Sequence, residues 1–465
     1  MIPSLVVCLI YGEHSTAVAF LSSIIPIVSI GTFFAYFSKP SLNVIRIREG
    51  ILIVGLCWII APLCSSIPFI ISGAIPNFAD AFFESASGFS TTGASILTDI
   101  ESLPKGILFW RSFTHWLGGM GILIFAIAIL PSLGIGGFRI AESESPGPTL
   151  DKLTPKMSDS AKILYIMYIG MTITETILLL FGGMSLYDAL IHSFGSVATG
   201  GFSNYNNSIA HFGSLYIEMV ISVFTIMAGI NFTLYYMVLR GNWREFFGDE
   251  ELRSYLSIIC GSTLLITIIL WYSNTSQSLW EGLRLSFFQV ASIITTTGFA
   301  TTDFNLWPSA CKLILFLLII VGGCSASTSG AVKVVRVVIF FKLIRRGFYR
   351  RIHPNAVVPI KLGGRNVPSY TVSNIVSFIF LYISLFLLGT FIVSLENVDL
   401  ITAASSAATC IGNVGPGFEL VGPTSNFSLY SNGTTIFLAF LMIAGRLELF
   451  TILLLFTPAF WNPNR

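Results

Sequence analysis

Four glycine-centred stretches recur along the chain at near-equal intervals: Ser90-Thr91-Thr92-Gly93-Ala94, Val197-Ala198-Thr199-Gly200-Gly201, Thr295-Thr296-Thr297-Gly298-Phe299 and Asn413-Val414-Gly415-Pro416-Gly417. Each follows a helix-length segment and precedes a long apolar one. Such a repeat restricts the fold to similar units around a common axis. The recurrent Thr-Gly core supplies that axis with hydroxyls and backbone carbonyls, groups that can replace the water around a monovalent cation. The pattern reads as an ion pore.

Composition decides the solvent. Of the 465 residues, 54% are hydrophobic and 10% charged, and the mean hydropathy is +0.81. A soluble domain carries about 25% charged residues. Apolar runs recur that are long enough to cross a hydrocarbon core of roughly 30 Å. Closed barrels would give short alternating segments instead. The fold class expected is an all-α polytopic cell (inner) membrane protein. Four pseudo-symmetric units, each span, half-helix, loop and span, surround one pore, with two leading helices before them. Seven cysteines show no metal-ligand or CxxC spacing and read as packing residues.

The leading helices occupy 1–40. The first, near 1–10, is too short to span alone; without a basic n-region or a cleavage site it is not a signal peptide. The pore units are expected at 46–135, 158–242, 252–348 and 368–465, with half-helices near 79–89, 187–197, 280–293 and 399–409. Each half-helix opens on an acid, Asp80, Asp188, Glu281 or Asp399, expected to cap free N–H groups. The opposite ends carry partial negative charge and favour a cation at the loops.

Lysine and arginine placement sets orientation. The linkers hold Lys39, Arg46 and Arg48; Arg139, Lys152 and Lys156; Arg240, Arg244 and Arg253; and the richest run, from Lys342 to Arg365. The loop regions hold Asp99, Glu101, Asp303, Glu396 and Glu419, with Lys105, Arg111 and Lys312 as exceptions. The linkers are therefore expected in the cytoplasm and the loops at the outer face. Arg284, inside a half-helix, requires an acid partner. The run from Lys342 to Arg365 suits either a regulatory protein or anionic membrane lipid.

Potassium is weakly hydrated, and a carbonyl ring compensates its dehydration where backbone angles that glycine adopts cheaply align the oxygens. The expected filter is Thr92, Gly93, Thr199, Gly200, Thr297, Gly298, Val414 and Gly415. One Thr-Gly alone is an ordinary turn; the set in register is not. One shared glycine per loop implies few ordered sites and imperfect preference for potassium over sodium.

These motifs, with Leu9-Ile10-Tyr11-Gly12-Glu13, His115-Trp116-Leu117-Gly118-Gly119-Met120-Gly121 and Gly322-Gly323-Cys324-Ser325, make the chain resemble the Trk/Ktr/HKT superfamily of potassium transporters, most closely its Trk-type pore subunits. The resemblance covers nearly the whole chain. It implies potassium uptake, four pore-loop units in one chain, a homodimer, and a cytoplasmic nucleotide-binding regulatory ring of the TrkA type. It implies no cofactor beyond the transported K+ and no nucleic-acid partner.

Each second span carries a small pair: Gly118-Gly119, Ala228-Gly229, Gly322-Gly323 and Ala444-Gly445. In three units close packing and a gating role stand side by side. Unit three differs. Its polar stretch 322–330 should break the span, and irregular backbone at that depth belongs beside a water-filled cavity or inside protein. Gly322, Gly323, Cys324, Ser325, Ser327, Thr328 and Gly330 are expected to form a gate under the filter, which the resemblance also implies. Arg446 is the basic residue deep in the last span. It reads either as a charge beside the path that slows cations or as a structural partner of Glu448 or another acid. Lys333 and Arg336 are placed nearer the cytoplasmic end.

An ion-coupled secondary symporter of potassium or sodium is the competing function; its broken helices often come in inverted repeats, whereas these four units run the same way. An enzyme would need a nucleophile beside a base, and His115 and His192 adjoin no such motif.

Overall fold

The structure is a computed structural model and describes residues 1–37, 47–121 and 157–462. The linker cations Lys39, Arg46, Arg139, Lys152 and Lys156, and the end of unit one's second span, lie outside these residues.

Helix α1 (Ile2–Tyr11) ends at Gly12, whose φ of 71° turns the chain directly into α2 (His14–Phe37). Between them the Glu13 carboxylate accepts from the backbone N–H groups of Lys105 at 2.7 Å and Gly106 at 3.0 Å. It satisfies the open N-terminus of a helix in unit one and pins the leading pair to the pore body.

Unit one comprises α3 (Ile47–Ile71), α4 (Phe78–Phe89) and α5 (Lys105–Gly119). Unit two comprises α6 (Met157–Phe181), α7 (Leu186–Val197), α8 (Leu215–Ala228) and α9 (Phe232–Leu239), followed by the short α10 (Trp243–Gly248). In unit three α11 (Glu250–Tyr272), α12 (Leu279–Ile294) and α13 (Ser309–Ile320) precede an irregular loop and α14 (Val334–Ile352). A hairpin of β1 (Lys361–Leu362) and β2 (Arg365–Asn366) leads to unit four: α15 (Ser369–Ser394), α16 (Leu400–Gly412), α17 (Asn432–Arg446) and α18 (Phe450–Leu453). The fold is all-α and membrane-spanning. Among the described residues five helices, α2, α3, α6, α11 and α15, are long and apolar enough to cross a bilayer.

The short helices α4, α7, α12 and α16 stop part-way, since 12 to 16 residues at about 1.5 Å each fall short of a roughly 30 Å core. Their last turns are buried on all sides, with small residues such as Ala86 and Ser87, Ser196, Ala291 and Ser292, and Ala407 and Ala408 at the contacts. Small side chains let the spans close around them.

Three of the four acids do not cap their helices as expected. Asn77 caps α4 through Ala79 N, Ser185 caps α7 through Asp188 N, and Ser278 caps α12 through Glu281 N. Asp399 alone of the four acids is itself the cap, through Thr402 N. Asp188 and Glu281 sit three residues inside, where the Glu281 carboxylate accepts from Gln277 N, one residue before the cap, at 2.7 Å, a near relative of the capping box.

The second spans of units two and four are also not continuous. α8 and α9 meet at 94°, and α17 and the segment after it at 117°. In unit two a Cβ on Gly229 would lie 2.4 Å from the Tyr255 hydroxyl, and Asn231 starts a new helix by capping Thr233 N. In unit four Glu448 and Leu449 both take positive φ, 54° and 61°. Arg284 has its acid: Glu218 binds it through two oxygens, each at 2.7 Å. All seven cysteines are free thiols.

Candidate ion pathway

At the C-terminal end of each short helix one residue enters the left-handed region: Thr91 (φ 55°), Thr199 (55°), Thr296 (59°) and Asn413 (55°). Two residues later comes a glycine with positive φ: Gly93 (80°), Gly201 (78°), Gly298 (83°) and Gly415 (99°). The residue between them offers its carbonyl oxygen to the neighbouring unit. A Cβ on Gly93 would lie 2.2 Å from the Gly200 oxygen, one on Gly201 1.8 Å from Thr297 O, one on Gly298 2.2 Å from Val414 O, and one on Gly415 2.7 Å from Thr92 O. The contacts run from unit to unit and close on the first. Thr92, Gly200, Thr297 and Val414 therefore contribute one carbonyl each to a four-membered ring, in a conformation that a side chain on the following residue would obstruct sterically.

Unit two registers one residue later than its motif suggests. Gly201 occupies the place of Gly93, and Gly200 that of Thr92. Gly200 is glycine for another reason: a Cβ there would lie 2.4 Å from the His115 ring. That ring is stacked on Phe202 at 4.1 Å between centroids, with Nδ1 2.7 Å from Gly88 O. The threonines brace the ring from behind. Ser90 and Thr92 hydroxyls share a hydrogen bond at 2.7 Å, as do Thr295 and Thr297, and the Asn413 amide donates to Thr92 Oγ1 at 3.0 Å.

On one side of the ring a cavity opens between the unit connections, with Ser95, Thr98, Phe202, Asn206 and Pro416 on its wall. Behind it Arg111, 2% exposed, pairs with Glu84, 1% exposed, at 2.5 Å, and donates to Ser203 O at 2.9 Å. This buried pair ties α4 and α5 to the loop of unit two, and removing either partner would strand the other. At the rim Asn206 donates to Asp99 at 3.2 Å, holding that carboxylate below its usual range.

On the other side lies a second cavity, bordered by Phe232, Ser327, Gly330, Lys333, Gly445 and Arg446. Its roof is the loop between α13 and α14. The loop closes on itself where Gly322 N donates to Val332 O at 2.9 Å and Val332 N to Ile320 O at 3.0 Å. Its tip touches the ring-bearing loop of unit three through Gly330 N and Thr296 Oγ1 at 2.7 Å. Cys324 N and Thr328 N take up the carbonyls freed by the break in unit two, Gly229 O at 2.8 Å and Ala228 O at 3.3 Å. The loop is small and polar, as the sequence suggests, and it is also densely bonded.

Three charged residues hold it. Arg446 donates to Thr328 O at 2.6 Å and to Gly118 O and Gly119 O at 2.8 and 2.7 Å. Glu448, the acid nearest to it in sequence, is engaged by Arg336. The Glu251 carboxylate accepts through one oxygen from Ser325 N at 2.7 Å, Ser325 Oγ at 3.1 Å and Val335 N at 3.0 Å, clamping both ends of the loop. Lys333 is not placed toward the helix exit as expected. It is 2% exposed, and its ammonium group folds back onto Ser329 O. Sequence reasoning missed the role of Lys333, and missed Glu251 and Gly201 altogether; residues 329–333 are not helical, so no periodicity marks the Ser329–Lys333 contact.

The family model TrkH, described as a cation transport protein, matches residues 17–462. The chain is similar to the Trk system potassium uptake protein TrkH of Halomonas elongata, with 37% identity over 469 residues covering 99% of this chain and 96% of that one. The Escherichia coli K12 protein of the same name shares 37% over 466 residues, covering 99% and 95%. The crystal structure of the potassium transporter TrkH from Vibrio parahaemolyticus superposes with a TM-score of 0.88 at 33% identity, covering 99% of this chain and 96% of that chain.

Proposed function

The chain belongs to the TrkH family of cation transport proteins, and from that premise we propose that it is the pore subunit of a potassium uptake system, selecting K+ at the carbonyl ring. It is a multi-pass inner membrane protein and not an enzyme. The observation that carries the reading is the closed set of contacts between Gly93, Gly201, Gly298, Gly415 and the Gly200, Thr297, Val414 and Thr92 oxygens. Four carbonyl oxygens set in a ring can substitute for water around a weakly hydrated ion, and the C-terminal ends of α4, α7, α12 and α16 add favourable potential there. The residues assigned to the filter are Thr92, Gly93, Thr199, Gly200, Gly201, Thr297, Gly298, Val414 and Gly415.

The loop from Gly322 to Gly330, with Arg446, is the gate. Its support is position: it lies against the ring on the side of the second cavity and is held by reversible hydrogen bonds. Helix α14, with Lys342, Arg345, Arg346, Arg350 and Arg351 beyond the loop, is the natural handle for a cytoplasmic nucleotide-binding regulator of the TrkA type, and the working unit is a homodimer. Purified protein in liposomes should pass Rb+ in preference to Na+, saturably and without added nucleotide. Absence of Rb+ flux, or equal passage of Na+, would reject the pore reading.

A further inference from the structure

One acid inside the membrane body takes no part in the pathway above. Glu175, in the last third of α6, is fully buried, and neither of its carboxyl oxygens has a hydrogen-bond partner within the usual geometry. The Ser196 side chain on α7 faces it, but that hydroxyl is already donated to His192 O at 2.8 Å. The neighbouring hydroxyls are committed as well: Thr172 to Tyr168 O at 2.9 Å, and Thr176 to Thr172 O at 2.8 Å. A carboxylate in such a place, with only the Ser196 hydroxyl beside it and no cation paired to it, is costly to keep ionised.

Its surroundings add to that cost. Ser196 is in the last turn of α7, where carbonyls point toward the ring and carry partial negative charge. Among the other charged or titratable groups on the elements packed around α6, His115 Nε2 on α5 is buried without a partner, and the following are engaged. On α7, His192 Nδ1 is 2.7 Å from Asp188 O and its Nε2 3.0 Å from Ser203 Oγ, while Asp188 accepts from Asn204 and Ser185 at 2.7 Å each. On α8, Glu218 is held by Arg284. On α5, Arg111 is held by Glu84, and His115 Nδ1 is bound at Gly88 O. On α6 itself Tyr168 donates to Trp116 O at 3.0 Å.

We infer that Glu175 is a buried proton-binding site linked to cation occupancy of the ring, an inference that rests on the pore reading above. The ligand is H+, held as the neutral carboxylic acid when the ring is poorly occupied. The link is short: Ser196 faces Glu175, and Ser196 O accepts from Thr199 N at 3.0 Å in the ring-bearing loop of unit two. A cation at the Gly200 carbonyl favours release of the proton, and the ionised carboxylate favours the cation. Reciprocity requires that raising the pH tighten cation binding by the same factor.

Infrared difference spectroscopy and Rb+ uptake test this on the purified protein and on Glu175→Gln, which keeps the shape of the neutral acid. The parent should show a protonated-carboxyl band that weakens when K+ is added at fixed pH, and an Rb+ half-saturation that falls severalfold from acid to alkaline pH, within the roughly 5–150-fold range of coupled sites. E175Q should lack the band and lose the pH dependence while keeping its ion preference. A band that survives in E175Q, a band in the parent that ignores K+, or an unchanged pH profile would each overturn the inference. Should E175Q fail to fold, the K+ response of the parent's band decides alone. If neither protein passes Rb+, the pore reading fails while the band still reports whether Glu175 holds a proton.

Discussion

The Arg446 guanidinium reaches from unit four to the Thr328 carbonyl oxygen of unit three at 2.6 Å. The same side chain donates to Gly118 O and Gly119 O of unit one, so one cation holds three units together at the loop. Hydrogen bonds from charged groups contribute about 1.5–3 kcal/mol each, and about 1.4 kcal/mol is a tenfold change in a population. Arg446→Ala should raise Rb+ uptake about tenfold or more without any cytoplasmic partner and leave the K+-to-Na+ preference nearly as it was. Abolished flux, or altered preference at unchanged rate, would show that the loop is a plug or part of the filter.

Glu251 clamps the loop from the opposite side. Glu251→Ala leaves Ser325 N and Val335 N without their acceptor, and basal flux should rise as the loop loosens. Glu251→Gln keeps an oxygen in place and should change the rate less. The ordering of the two variants is the measurement; equal rates in both and in the parent would remove Glu251 from the gate.

The ring makes a sharp prediction at Gly201. A Cβ there would lie closer to a carbonyl oxygen than at any of the other three ring glycines, and positive φ costs an L-residue roughly 1–2 kcal/mol besides. Gly201→Ala should lower the Rb+-to-Na+ permeability ratio at least as much as Gly93→Ser or Gly298→Ser. An unchanged ratio in all three variants would dismiss the ring as the selective element.

Glu13 supports the pore from outside it. Glu13→Ala uncaps α5 and should cost about 0.5–2 kcal/mol, the usual worth of an N-terminal acceptor. Thermal unfolding in detergent should show the midpoint falling while the surviving protein keeps its ion preference. Loss of preference at unchanged stability would contradict a purely supporting role.

The exposed end of α14 carries Arg350 and Arg351. Reversing both charges should weaken binding of the regulator in detergent, where little lipid remains. Binding equal to that of the parent would point to anionic lipid as the partner of this segment.

Much of the architecture is written locally and was therefore legible. The short helices follow from their length and apolar faces, and the break in unit three from a run of glycines and hydroxyls with little helix propensity. Other features depend on neighbours distant in sequence. Gly200 and Gly201 are adjacent, and only the His115 ring on one side and Thr297 O on the other decide which is which. The bend after Arg446 contains neither glycine nor proline, so nothing in Leu447-Glu448-Leu449 announces it. Lys333 looks like the start of a basic cytoplasmic stretch until the loop folds over it. The caps were hidden differently: Ser185 and Ser278 stand three residues before Asp188 and Glu281, a spacing that marks the acid as the inner member of the pair.

The contact between Gly415 and the Thr92 carbonyl joins the last repeat to the first. During synthesis, at about 5–20 residues per second, the first loop waits tens of seconds for the segment that completes its circle. Until then three carbonyls flank a gap, and an ion could be stripped of only part of its water. Selectivity is thus a property of the finished chain, since the first repeat's carbonyl gains its last neighbour only when the fourth repeat is in place.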